Sequence, residues 1–246
     1  MKNWAETHTI AAIDTSTDML ACSIARVGGA EGAVEVLATG DHLCRRHANV
    51  ELIKTLDAAL AEAGVAREGV DAYLVGRGPG SFTGVRIGIS TAKGLARGAN
   101  VPLYGVSTLD ATAWTAWRAG VRGLLGVAAD AMRGEVYPAL YTLDDEGAHR
   151  LFDRERVVKA AQAVEESLQG QEGRWLPLPV EYKHGTSKQS DADRLQLTGD
   201  GLVRYGDRFD AAGLTTRIDR ALWWPSGEGL ALAWRAACER AGGVEG

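Results

Sequence analysis

The stretch GRGPGSFTGVRIGIS, residues 76–90, packs five glycines and one proline into fifteen positions, yet it also carries Phe82, Val85, Ile87 and Ile89. Glycine and proline punctuate loops, while the apolar residues read as core. A phosphate loop of the G-x-x-x-x-G-K-[ST] type needs a lysine and a hydroxyl in register. Neither falls in place from Gly76 or Gly78, and Lys93 lies too far along. A dinucleotide fingerprint starting at Gly78 and Gly80 needs a small residue at 83, which is Thr83. A nucleophile elbow fails too, because Ser81 directly follows Gly80 and precedes Gly84 by three. What fits is a helix. Ser81 is a good N-cap for a segment from Phe82 that ends near Gly98. Gly84, Gly88 and Ala92 recur every fourth residue on one face, while Val85, Ile89 and Ala96 line another suited to the core. An interior glycine costs about 0.5–1 kcal/mol relative to alanine, so two on one face imply that another backbone lies close. That backbone belongs either to this chain or to a partner.

Around this segment the chain alternates strand and helix. The runs 8–14, 19–27 and 33–40 read as three strands, and the polar turn TSTD separates the first two. Residues 47–64 follow as a helix, with Val50, Ile53, Leu56, Ala59, Leu60 and Ala63 at helical spacing and Gly64 as the stop. Strands at 71–76 and 101–107 flank the opening segment, and a helix at 108–119 leads onward. The second half begins like the first. Residues 123–130 end in Asp130, the turn AMRG follows, and 135–143 is a strand. A helix at 157–170, a proline-bearing insertion at 171–194, a strand and Gly-Asp-Gly turn within 195–207, and a helix at 227–243 complete the reading. The repeated pattern of strand, aspartate, tight turn and strand predicts an internal duplication.

Composition restricts the function classes. The 246 residues are 46% hydrophobic and 24% charged, as in a folded globular protein, and the net charge of −5 argues against an independent nucleic-acid-binding face. Three cysteines without CxxC spacing (Cys22, Cys44 and Cys238) read as reduced, partly buried thiols. The N-terminal residues lack the pattern of a secretory signal and no apolar run approaches membrane-spanning length, so a cytoplasmic location is expected. The five histidines (His8, His42, His47, His149 and His184) include no H-x-x-x-H pair, and no metal site is expected. Trp223 and Trp224, just before Pro225, read as partly buried beneath the last helix, with an interface anchor as the alternative.

The segment GRGPGSFTGVRIG resembles the signature of the TsaB (YeaZ) family of the bacterial tRNA threonylcarbamoyladenosine system. AIDTST at the start, GVSTLDA at 105–111, DAMRGEVY at 130–137 and TGDG at 198–201 agree in order, so the resemblance spans about residues 9–206. The family's closing proline, tyrosine and arginine segment is not visible after the last helix. The resemblance implies an actin-like, sugar-kinase-like (ASKHA) α/β fold of two lobes, with a duplicated βββαβα core and a reduced second lobe. The lobes are expected at 1–107 and 108–246, with the final helix free to pack back on the first. It implies a non-catalytic subunit, not an enzyme on its own, that binds and activates the catalytic paralogue TsaD. That paralogue transfers the threonylcarbamoyl group to the adenosine beside the anticodon, and TsaC supplies the threonylcarbamoyl-adenylate. TsaE-type ATPase is the further partner, a homodimer is expected when the chain is alone, and tRNA is met only through the complex. His47, Ile53, Gly84, Arg86, Gly88 and Thr91 are then the expected partner-interface residues, with the glycine face turned outward. Asp14, Thr15, Ser16 and Thr17 at one turn, and Asp130, Arg133, Gly199 and Asp200 at the other, are the candidate nucleotide-binding residues. No tightly bound cofactor is expected, and weak ATP or ADP binding in the chain's own cleft or at the partner interface stays open. The rival reading is a stand-alone ATP-dependent small-molecule kinase or ATPase of the same fold, and a metalloprotease is a third.

Overall fold

In the computed structural model, residues 6–28, 33–45, 47–151, 155–171, 195–214 and 216–240 are described. The chain divides into two units, Met1–Thr115 with Pro225–Gly246, and Ala116–Trp224.

The first unit is built on β1 (His8–Asp14), β2 (Met19–Val27), β3 (Val34–Thr39), the short β4 (His42–Leu43), α1 (Ala48–Glu62), β5 (Ala72–Gly76), α2 (Phe82–Ala99), β6 (Leu103–Val106) and α3 (Thr108–Arg118), the last running on into the second unit. Its sheet has the order β3-β2-β1-β5-β6, antiparallel among the first three strands and parallel from β1 to β6. Side chains alternate across the sheet, so Ala11, Ile13, Cys22, Ile24, Tyr73 and Val75 share one face. That face packs on Leu52, Leu56, Ala59 and Leu60 of α1 and on Ala92 and Ala96 of α2. The other face is lined by smaller residues such as Ala12, Ala21 and Ala25, all fully buried. The last helix, α6 (Gly227–Arg240), contacts β1, β2, β3, β5 and β6 and buries Leu230, Ala231 and Trp234. The Asp41 carboxylate pins its start, accepting the Gly227 amide at 3.0 Å and the Cys22 amide at 2.7 Å.

The second unit holds β7 (Gly123–Met132), β8 (Glu135–Leu143), β9 (Ala148–Arg150), β10 (Val158–Lys159), α4 (Ala160–Gln171), β11 (Gln196–Thr198) and α5 (Gly201–Ala211). Its sheet runs β10-β8-β7-β11, with β7 and β8 antiparallel and β7 and β11 parallel. The strand pair β7–β8, helix α4, parallel strand β11 and helix α5 repeat the plan of β1–β2, α1, β5 and α2, without a further parallel strand among the described residues. This is the actin-like α/β plan in two units, the second reduced.

Two expectations change, and two others hold. The division falls at 115/116 and 224/225 rather than at 107/108, because Thr108 bonds to Asp14 and Thr115 to Ser226 within the first unit. The buried stripe of α1 is Ala48, Leu52, Leu56, Ala59 and Leu60, so Val50 and Ile53 point outward. Two apolar stripes overlap in that helix, and spacing alone does not rank them. Helix α2 begins at Phe82 and ends at Ala99, next to the expected Gly98, and the left-handed residue that closes it is Asn100 (φ 55°). Trp223 and Trp224 are buried, as their favoured reading had it, and the Trp223 indole donates to the Ile218 carbonyl at 3.1 Å, which sets aside the alternative of an interface anchor. The expected insertion from 172 onward and His184 lie outside the described residues, as do residues 241–243 of the final helix.

Candidate functional site

Asp14 ends β1, and its side chain is 0% exposed. Its Oδ1 accepts the Ser16 amide at 2.7 Å, and its Oδ2 accepts the Thr108 hydroxyl at 2.6 Å. With the Thr108 proton committed, the Ser16 hydroxyl donates to Thr108 Oγ1 at 2.9 Å. The Thr15 hydroxyl donates to the Gly84 carbonyl at 2.7 Å. Thr17 turns away and brackets Met19, accepting its amide at 3.1 Å. Asp14 and Ser16 thus join the end of β1 to the start of α3, and Thr15 joins it to α2. Thr108 sits in the GVSTLDA segment, but sequence reasoning gave it no part here. The available signal was a hydroxyl at a strand-to-helix junction, a position where Ser and Thr bond to nearby acceptors.

The glycine segment is fitted to this turn. A Cβ on Gly76 would lie 2.0 Å from the Asp14 carboxylate, and one on Gly80 would lie 2.3 Å from the Ser16 carbonyl oxygen. A Cβ on Gly84 would stand 1.9 Å from the Thr15 carbonyl oxygen, and on Gly88 2.8 Å from Thr15 Oγ1. Ser81 caps α2, its Oγ accepting the Gly84 amide at 3.3 Å, while its own amide donates to the Ser16 carbonyl at 2.7 Å. The backbone that approaches the glycine face is therefore the chain's own. Gly84 and Gly88 are buried inside the first unit, and their assignment to a partner interface is withdrawn. The other expected interface residues stand differently. His47, Ile53 and Arg86 are exposed, and Thr91 is half-buried. Phe82, which reads as core in the sequence, is 75% exposed, and the Arg86 guanidinium lies 5.3 Å from its ring centroid.

In the second unit Asp130 closes the matching run of β7. Its Oδ1 accepts the Met132 amide at 2.8 Å, and its Oδ2 pairs with Arg204 of α5 at 2.7 Å. The Asp130 amide donates to Asp200 Oδ1 at 2.8 Å, which brings these two candidates together. Arg133 is exposed at the tip of the hairpin. Gly199, at φ +111°, and Gly201 lie against β7, where a Cβ would be 2.3 and 2.6 Å from the Ala128 carbonyl oxygen respectively. Arg204 and Tyr205, whose hydroxyl accepts the Gly134 amide at 3.1 Å, escaped the sequence reading because a helix following a glycine turn shows no sign of which residues face back to the hairpin. Among the described residues no three His, Cys, Asp or Glu side chains gather as a metal site, and no helix is long and apolar enough to cross a membrane.

Burial pushes the Asp14 carboxyl above its ordinary value, outweighing the donors Ser16, Thr108 and Thr15, which act to lower it. A carboxyl whose pKa is raised on folding favours the fold most when protonated. Its contribution falls as pH rises from the unfolded value through the folded one. The stability of the wild type relative to Asp14→Asn is therefore expected to decrease as pH rises from about 4 upward, because the amide does not titrate. Urea unfolding of both proteins across pH 4–8 measures this, and a difference that stays flat or grows with pH refutes it.

A model of the family described as TsaD, tRNA N6-adenosine threonylcarbamoyltransferase, matches residues 42–191. The chain is 40% identical over 219 residues to the tRNA threonylcarbamoyladenosine biosynthesis protein TsaB of Escherichia coli, an alignment covering 86% of this chain and 91% of that protein. It is 40% identical over 130 residues to the TsaB protein of Haemophilus influenzae, covering 52% of each. Among solved structures, YeaZ from Pseudomonas aeruginosa superposes with a TM-score of 0.68 at 29% identity, covering 97% of this chain and 95% of that one. Alike in sequence to TsaB over nearly its whole length and in fold to YeaZ, the chain belongs to the TsaB (YeaZ) family of tRNA threonylcarbamoyladenosine biosynthesis proteins.

Proposed function

We propose that this chain is the non-catalytic subunit that docks on and activates the TsaD-type catalytic paralogue, which transfers threonylcarbamoyl to the adenosine beside the anticodon. The observation that carries this reading is the outer face of α1 and α2, two helices packed alongside one another. Val50 and Ile53 on α1 are 51% and 40% exposed, and Phe82 on α2 is 75% exposed. Large apolar side chains left in water on neighbouring helices mark an interaction surface, and aromatic and arginine residues are its usual anchors. His47 at the start of α1, Arg86 over Phe82, and Thr91 on the flank of α2 complete the face. A second copy of the chain occupies the same face when the paralogue is absent. TsaE-type ATPase joins the assembly, and tRNA is engaged through the complex. Any ATP or ADP binds weakly, at the partner interface.

A stand-alone kinase built on Asp14 and Asp130 is not favoured, since Asp14 is sealed from solvent and Asp130 is paired with Arg204. The experiment is depletion of the protein followed by mass spectrometry of nucleosides from bulk tRNA. Threonylcarbamoyladenosine is expected to fall to background and to return with the wild-type gene. Unchanged levels would remove the assignment.

A further inference from the structure

The actin-like fold implies a nucleotide whose phosphates lie on turns like that of residues 14–17. We infer that in this chain the turn at Asp14, Thr15 and Ser16 takes no nucleotide phosphate and works instead as an internal clamp fixing the starts of α2 and α3 to β1. The inference is independent of the partner reading above.

A phosphate bound at a turn or helix N-terminus needs backbone amides free to donate, a preference for negative charge, and room for its oxygens. This turn instead spends its central amide internally, turns carbonyl oxygens outward and is filled by backbone. The Ser16 amide is spent on Asp14 Oδ1, and the Thr108 hydroxyl on Asp14 Oδ2. Asp14 has no exposed surface from which to reach a hydrated Mg²⁺. At the α2 N-terminus the Ser81 amide is taken by the Ser16 carbonyl and the Gly84 amide by Ser81 Oγ. The side of the turn facing α2 presents the Thr15 and Ser16 carbonyl oxygens, which repel an anion. The space there is filled by backbone: even a methyl group on Gly80 or Gly84 would stand 2.3 or 1.9 Å from those oxygens. The glycines that resemble a phosphate loop are thus the means by which the chain fills its own turn. On the other side, the Thr108 amide donates to the Gly78 carbonyl at 2.9 Å, closing the ring of contacts between turn, loop and α3.

Two measurements on the full chain test this. In the first, backbone amide NMR signals are followed while Mg²⁺ with ADP, and separately with ATP, is titrated in. The Thr15, Ser16 and Thr17 amides are expected not to move, whatever happens elsewhere. A saturable shift of these three overturns the inference. In the second, Thr108→Val removes the hydroxyl that bridges Asp14 and Ser16 while keeping its shape. It leaves a buried carboxylate oxygen without its donor, so the melting temperature is expected to fall by about 5 °C or more. A Thr108→Ser variant, which keeps the hydroxyl, is expected to recover most of that loss. A Thr108→Val melting temperature equal to wild type, or no recovery with serine, would show that the clamp does not hold the fold.

Discussion

Gly84→Ala is expected to destabilise the first unit by at least about 3 kcal/mol, and Gly84→Leu to leave no soluble folded protein. The added carbon would lie 1.9 Å from the Thr15 carbonyl oxygen. That oxygen is backbone, tied into the buried turn that ends β1, so neither side can yield without breaking the Asp14, Ser16 and Thr108 bonds. The same helix supplies its own control. A Cβ on Gly94 or Gly98 would meet nothing within 4 Å, so Gly94→Ala is expected to raise stability by roughly 0.5–1 kcal/mol through helix propensity alone. Urea denaturation of Gly84→Ala and Gly94→Ala checks both signs, and the soluble yield checks Gly84→Leu. A soluble Gly84→Ala protein within about 1 kcal/mol of wild type would show that the turn has slack not apparent in its contacts.

Phe82→Ala is expected to have the opposite profile. With three quarters of the ring in water, truncation should change stability by no more than about 0.5 kcal/mol. Yet an exposed aromatic stacked under an arginine has the character of an interface anchor, for which truncation costs about 2–4 kcal/mol of binding, or roughly 30- to 1,000-fold in Kd. Titration of the purified TsaD-type paralogue onto wild-type and variant chains measures it. Val203→Ala, an exposed apolar residue of the second unit, is the comparison and should leave the affinity unchanged. Equal affinities for wild type and Phe82→Ala would place the docking face elsewhere. Phe82 and Gly84 are two positions apart on one helix, and the first loses a partner while the second loses the fold.

Much of the architecture was legible in the sequence. Strands 8–14, 19–27 and 135–143 were read to the residue, because each is an apolar run bounded by turn residues. The short β4 and β9 were not, since two or three residues carry no periodicity. The glycine spacing correctly implied that a backbone lies against α2. Which backbone was beyond it, because the turn that fills the face is some seventy positions away, at Thr15, and a spacing rule carries no information on contacts so distant in the chain. Family resemblance pulled that reading outward, toward a partner. The burial of α1 was misphased for a related reason. In ANVELIKTLDAALAE both Ile53 and Leu52 lie on apolar stripes, and only the position of the sheet decides which is covered.

The return of α6 to the first sheet has a consequence for synthesis. Translation delivers β1 to β6 early, but the helix that covers their alanine-rich face emerges only after the whole of Ala116–Trp224. About 110 residues at 5–20 per second amount to roughly 5–20 s during which that side of the sheet lacks the helix that packs on it. A chain stalled before Gly227 would lack Leu230, Ala231 and Trp234, which α6 buries in contact with that sheet. Quality control acting on nascent chains thus has a long window in which this protein, though half made and half folded, presents as unfinished.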